Sequence, residues 1–169
     1  GPTRLATPKD VTRIDVESAR DMLTAAREAM PVDGAVFVAA VADWRSAGEA
    51  TQKIKKDKKA DAGPPPLELV ENPDILATIG NHKTLRPRLV IGFAAETENV
   101  MDNALAKIDG KGADWIVAND VSRGVMGGDS NEVHIVSQNG VEHLPAASKK
   151  MIAHQLAKRI ASALTQEEC

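Results

Sequence analysis

Lysines are the residues with the clearest capacity for chemistry in this chain. Lys53, Lys55, Lys56, Lys58 and Lys59 crowd one run, KIKKDKK, and Lys107 and Lys111 follow later at i and i+4 spacing. A compact ammonium on a loop is suited to close over a polyphosphate or a developing oxyanion, where its charge gains strength once water is expelled. The competing reading of the run is a solvated surface. Lys107 and Lys111 share one face if their helix persists that far, and otherwise complement its dipole. A second pattern is polar. The apolar runs at 35–42, 89–95 and 115–118 end in Asp43, in Glu96 and in Asn119 with Asp120. Open parallel sheets bind ligands beyond the carboxyl ends of their strands, so three such ends mark a candidate crevice, although any single strand must end in something polar.

Other chemistry is poorly represented. His82, His134, His143 and His154 have no metal-ligand spacing and adjoin no nucleophile motif, so they are expected at the surface or at caps. Cys169 sits alone on a polar tail, and Gly124, Gly127 and Gly128 do not form a dinucleotide fingerprint. The start of a helix at PDIL (73–76) offers free N–H groups, a property of every helix start.

The elements that must position these groups follow from hydrophobic period. VTRIDV (11–16) alternates as a strand does, and Ser18 with Asp21 forms a capping box before a helix with Met22, Leu23, Ala26 and Met30 on one face. AVFVAAVA (35–42) is expected to be a strand buried on both faces. The following stretch, with its lysine run and three consecutive prolines, reads as a loop closed by a short strand, LELV (67–70). Asn72 is placed as an N-cap, with Pro73 at the first helical position and Ile75, Leu76 and Ile79 inward. LVIGFAA (89–95) and DWIVAND (114–120) are strands flanking a helix that opens at Thr97 and Glu98. Asn139-Gly140 predicts a type I′ hairpin, and Ser148 caps a last helix with Met151, Ile152, Leu156, Ile160 and Leu164 on its stripe. Alternation of this kind specifies an α/β domain, a mostly parallel sheet with flanking helices and a hairpin toward the C-terminal side.

Composition bounds the class. The chain has 169 residues, 21 basic and 24 acidic, a formal charge of −3, 43% hydrophobic residues and only two Phe, two Trp and no Tyr. That length buries roughly 70% of its unfolded surface without disulfide staples. Low aromatic content and a slightly negative charge argue against nucleic acid as a partner. No apolar run approaches the roughly 20 residues of a membrane span, and the expectation is a cytoplasmic protein.

With these residues in view, the sequence resembles a family. AAVADWR (39–45), KIKK from Lys53, NPDIL (72–76), GFAAET (92–97), Lys107 with Lys111, and ANDVS (118–122) stand in the order and approximate spacing of the bacterial phosphopantothenoylcysteine synthetases. These are the ligase halves of bifunctional coenzyme A biosynthesis proteins, whose other half is a flavin-dependent decarboxylase, and the match runs through essentially the whole chain.

The resemblance implies a Rossmann-like ligase that uses CTP and Mg²⁺ to join 4′-phosphopantothenate to cysteine through an acyl-cytidylate, with FMN confined to the decarboxylase half. It implies that Phe37, Val38 and Ala39 border the nucleotide and that Asp43 lies near the ribose-phosphate and its Mg²⁺. Lys53 becomes the catalytic lid lysine acting on the acyl-cytidylate. Pro73, Asp74, Ile75 and Leu76 supply the helix start beside the nucleotide, and Phe93, Lys107 and Lys111 complete the CTP site. It further implies a homodimer, with 44–71 as lysine lid and dimerisation arm of a single ligase domain over 1–169. Family members begin with a strand, a Gly-Gly-Thr phosphate loop and an SNRSSG-like helix start, none of which precedes Gly1. The chain is therefore expected to be a fragment of impaired activity, and the alternative function is a non-catalytic nucleotide or phosphometabolite-binding module.

Overall fold

The computed structural model describes residues 5–48, 66–96, 100–120 and 130–166. The elements in chain order are α1 (Ala19–Glu28), β1 (Gly34–Phe37), β2 (Trp44–Ser46), β3 (Leu69–Glu71), α2 (Ile75–Gly80), β4 (Leu89–Glu96), α3 (Val100–Lys111), β5 (Trp115–Asp120), β6 (Ser130–Ser137), β7 (Gly140–Ser148) and α4 (Lys149–Gln166). Five strands form one sheet in the order β1-β4-β5-β6-β7, and β2 with β3 forms a separate antiparallel pair. β1, β4 and β5 run parallel, joined through crossovers that carry the helices, while β6 and β7 fold back antiparallel. This is the expected α/β architecture.

The period of two along the strands divides the core between the two faces of the sheet. Leu89, Ile91, Val117, Val133, Ile135 and Leu144 face α4 and pack on Ile152 and Leu156. Val90, Ala94, Ile116, Ala118 and Val136 face the other way, onto Ala104 and Ile108 of α3. Because both faces are covered, β4 reads as an unbroken apolar run, and burying each Val or Ile there contributes about 1.5–3 kcal/mol.

Two glycines set how α2 sits. A Cβ at Gly92 of β4 would lie 2.6 Å from Leu76 Cδ2 and 2.9 Å from Ile116 Cδ1, so the missing side chain is what lets Leu76 press onto the strand. A Cβ at Gly80 would lie 2.3 Å from the Lys111 carbonyl oxygen, so the ends of α2 and α3 meet backbone to backbone. Arg86 fastens that junction. Its Nε donates to the Gly80 carbonyl at 2.8 Å, and its Nη2 donates to the Gly112 carbonyl at 3.0 Å and to Asp114 Oδ1 at 2.9 Å.

Several expectations are corrected. Residues 11–16 form no strand, because no neighbouring strand is present among the described residues to satisfy their backbone; Val11 and Ile14 are 53% and 57% exposed. The capping box before α1 is present, with Ser18 Oγ accepting from the Asp21 N–H at 3.1 Å and the Asp21 carboxylate accepting from the Ser18 N–H at 3.0 Å. Yet α1 buries none of its residues. The strand expected at 35–42 spans only Gly34–Phe37, and as the sheet's edge it leaves Val36 half-exposed. The N-cap of α2 is Asp74 rather than Asn72, whose Nδ2 instead donates to the Ala42 carbonyl at 2.8 Å. In the hairpin Ser137 pairs with Gly140, so Gln138 and Asn139 form the turn. Neither has positive φ, which excludes the type I′ geometry. Ser148 does cap α4, accepting from the Met151 N–H at 3.2 Å, but Met151 itself is half-exposed. His134 and His143 are cross-strand neighbours with ring centroids 4.8 Å apart, and His134 is partly buried rather than superficial.

Candidate functional site

A cavity of about 1100 Å³ opens between the end of β1, the start of α2 and the α1 segment. Phe37 closes β1, and Val38 and Ala39 continue along the same wall toward Asp43. Parallel pairing sets Phe37 beside Gly92, which brings Phe93 of β4 to the same cavity. Both phenylalanines are partly buried, Phe37 against the α3-side cluster and Phe93 against the α4-side cluster.

Asp43 lies beyond the end of β1, not at it. The small β2–β3 ladder holds it in place: Trp44 pairs with Glu71, the Asp43 carbonyl accepts the Asn72 N–H at 2.7 Å, and Arg45 Nη1 donates to the Glu71 carbonyl. Those bonds carry the backbone of 42–43 against that of 72, so Asp43 shares the cavity wall with Pro73, Asp74, Ile75 and Leu76. The Asp43 carboxylate is exposed and has no hydrogen-bond or ion-pair partner among the described residues. Nor do those residues hold any group of three or more His, Cys, Asp or Glu able to take a metal ion. A lone carboxylate suits a hard cation such as Mg²⁺, which keeps its waters and takes further ligands from substrate phosphates.

Lys111 reaches the cavity from the end of α3 and pairs with Asp74. The other Asp74 oxygen, Oδ1, accepts the Ala77 N–H at 2.9 Å, capping α2. Partial burial pushes the Asp74 carboxyl up, but the Lys111 hydrogen bond, the Ala77 N–H and the Lys111 charge outweigh it and hold it below its ordinary value. Aliphatic wall, aromatic rings, the unpaired Asp43 carboxylate and the tethered Lys111 ammonium together suit a ligand with a flat apolar part and a polyanionic part.

Ten of the twelve residues singled out by sequence thus line one cavity: Phe37, Val38, Ala39, Asp43, Pro73, Asp74, Ile75, Leu76, Phe93 and Lys111. Lys107 is partly buried on α3 and does not line it. Lys53 lies outside the described residues, as does most of the proline-rich stretch. Of the three polar strand ends, register sets Glu96 beside Asp120 and Ala95 beside Asn119, so two of them do converge. What the sequence did not disclose is the far wall. Thr12, Ile14, Val16, Met22, Ala25 and Ala26 line the cavity. The apolar stripe of α1 was visible, but hydrophobic period alone does not tell a face packed in a core from one facing a cleft.

Three comparisons bear on this site. Residues 1–164 match the model of the DNA/pantothenate metabolism flavoprotein C-terminal domain. Among curated proteins the chain is 43% identical over 163 residues to the coenzyme A biosynthesis bifunctional protein CoaBC of Haemophilus influenzae, covering 95% of this chain and 39% of that protein. It is 39% identical over 164 residues to CoaBC of Escherichia coli K12, covering 95% of this chain and 40% of that one. The chain therefore spans about two fifths of the length of these relatives. Among solved structures, the C-terminal domain of CoaBC superposes with a TM-score of 0.75 at 36% identity, covering 99% of this chain and 72% of that one. The DNA/pantothenate metabolism flavoprotein of Streptococcus pneumoniae superposes with a TM-score of 0.72 at 17% identity, covering 93% and 75%, a likeness of fold. With the family model spanning nearly the whole chain, and the mixed sheet and its helices reproduced in the solved C-terminal domain of CoaBC, the chain belongs to the family of the DNA/pantothenate metabolism flavoprotein C-terminal domain.

Proposed function

We propose that this chain carries the ligase chemistry of coenzyme A biosynthesis, joining 4′-phosphopantothenate to cysteine at the expense of CTP. The observation that carries the reading is the convergence of Phe37–Ala39, Asp43, Pro73–Leu76, Phe93 and Lys111 on one cavity, from separate stretches of sequence. In this reading the substrate carboxylate attacks the α-phosphate of CTP, forming a P–O bond while the bond to pyrophosphate breaks. The cysteine amine then attacks the acyl carbon of the acyl-cytidylate, the C–O bond to CMP breaks, and the amine's proton passes to solvent.

The parts assigned to the residues follow the family resemblance, and the shared cavity supports those of the residues that line it. Phe37 and Phe93 offer apolar surface to the flat part of the nucleotide, and main-chain groups of 38–39 and 73–76 border its polar edges. Asp43 would hold Mg²⁺, which supplies charge neutralisation for the triphosphate. Lys111 opposes negative charge on the phosphates, joined by Lys107 if the side chain turns toward the site on binding. Lys53 is assigned to the acyl-cytidylate as a lid lysine, a step at which a late-arriving cation lowers the barrier without adding ground-state affinity. The arm at 44–71 is assigned to a homodimer, and FMN to the flavoprotein portion of the longer relatives. The chain matches 72% of the solved CoaBC C-terminal domain, and the remainder is assigned to completing the phosphate end of the site, so ligation by this chain alone is expected to be weak.

The test is pyrophosphate release with CTP and 4′-phosphopantothenate, followed by amide formation with cysteine, on this chain and on a protein of the relatives' full length containing it. Release in the longer protein that is lost in its Asp43→Ala variant, with the fold intact, is the expected result. Selective CTP binding with no turnover in either form would instead support the non-catalytic nucleotide-binding module, and preference for RNA would refute both.

A further inference from the structure

Lys111 is fixed at both ends. Its backbone closes α3, where the Arg86 guanidinium joins the Gly80 and Gly112 carbonyls at 2.8 and 3.0 Å and so binds the last turns of α2 and α3 together. Gly112 turns the chain away there with a φ of +62°. Its ammonium, at the far end of a long and otherwise freely rotating side chain, meets the Asp74 carboxylate. Asp74 is itself immobilised, because its second oxygen accepts the Ala77 N–H at 2.9 Å. Both side chains line the cavity, with the Lys111 side chain 37% and the Asp74 side chain 42% exposed.

A carboxylate on the wall of a site for a polyanion looks misplaced, since it repels phosphate. Its effect on Lys111 runs the other way. A free lysine side chain carries rotamer entropy, part of which a ligand must overcome on binding. Resting on the nucleotide reading above, we propose that Asp74 is a positioning residue: its carboxylate holds the Lys111 ammonium on the cavity wall before ligand arrives. An incoming phosphate then meets a cation already ordered, and the Asp74 side chain makes no contact of its own with the nucleotide. The rival role, a helix cap and nothing more, predicts the opposite sign, because removing the negative charge would then strengthen anion binding.

Asp74→Asn separates the two roles, since asparagine caps a helix as well as aspartate does but forms no ion pair. Binding of CTP and of cytidine is measured for the unsubstituted chain, Asp74→Asn, Lys111→Met and the double variant. Asp74→Asn is expected to weaken CTP about fivefold, the order set by ordering one long side chain, and to leave cytidine unchanged. The double variant is expected to bind CTP no more weakly than Lys111→Met alone. Unchanged or tighter CTP binding by Asp74→Asn, or the same fivefold loss in the Lys111→Met background, overturns the proposal. A second arm needs no nucleotide: acylation of Lys111, followed by mass spectrometry of the ligand-free chain, should be several-fold faster in Asp74→Asn. Equal rates overturn the proposal directly. Failure of both this chain and the longer protein to bind CTP overturns the proposed function, and the labelling arm tells that failure apart from the absence of the pair.

Discussion

Replacing Gly80 by alanine puts the packing of α2 on α3 to a direct test. Helix propensity alone favours the change by up to about 1 kcal/mol, less at the last residue of a helix. Packing opposes it. The new Cβ would lie 2.3 Å from the Lys111 carbonyl oxygen, 2.8 Å from that of Gly112 and 3.1 Å from its carbonyl carbon. All three are backbone atoms, and Arg86 holds the Gly112 carbonyl among them, so no flexible side chain swings aside. Overpacking of this kind costs about 1–3 kcal/mol, so the net loss should be about 1–2 kcal/mol. For a chain of this size that lowers Tm by roughly 2–8 °C. Gly110 is the control. It lies in α3, and a Cβ added there would meet nothing within 4 Å, so Gly110→Ala should stabilise by up to about 1 kcal/mol. Urea unfolding followed by far-UV circular dichroism reads both, with m unchanged. A Gly80→Ala variant as stable as the unsubstituted chain would refute the close approach of the two helix ends.

Two further outcomes follow from named contacts. Arg86→Ala should cost about 2 kcal/mol in the same urea assay, because Asp114 Oδ1 and the Gly80 and Gly112 carbonyls lose one common donor; Arg86→Lys should recover less than half, since an ammonium does not reproduce the fork. The Glu142–Arg159 pair joins β7 to α4, and the Arg159 hydrogen bonds hold the Glu142 carboxyl below its ordinary value against slight desolvation. A depressed folded value means its stabilisation is present above the unfolded carboxylate pKa and is lost as pH falls through the folded one. The stability gap to Glu142→Gln, less than about 1 kcal/mol for so exposed a pair, should therefore close on acidification and shrink in high salt.

Legibility in the sequence followed burial. β4, β5 and α4 were readable because their apolar residues repeat with a period that a covered sheet or a one-sided helix demands, and Ile91, Val117, Ile152 and Leu156 are buried accordingly. The Asn72–Leu76 stretch announced a helix, yet Asp74 displaced Asn72 as the cap because Asn72 is engaged by the Ala42 carbonyl, a contact thirty residues distant in sequence. The hairpin was foreseen but not its turn, since register is fixed by cross-strand packing of Val133, Leu144 and Val136 as well as by the Asn-Gly dipeptide. Of the site, the motif residues were individually visible. The Asp74–Lys111 pair was not, because it depends on two helix ends meeting where Gly80 and Gly112 allow them to.

The two margins of the main sheet differ in what they offer to an added strand. β7 carries Pro145, which has no N–H to donate, and its ladder slips opposite Asn131 and Val133; both features discourage a further strand from docking along that margin. β1, at the opposite margin, reads Gly-Ala-Val-Phe with neither proline nor charge, and Val36 and Val38 beside it are 47% and 61% exposed. Lateral growth of this sheet is therefore directional. Apart from the homodimer assigned to 44–71, aggregation of this chain at high concentration should proceed through β1, and Val36→Lys would act as a gatekeeper that raises solubility while placing a charge on the cavity wall.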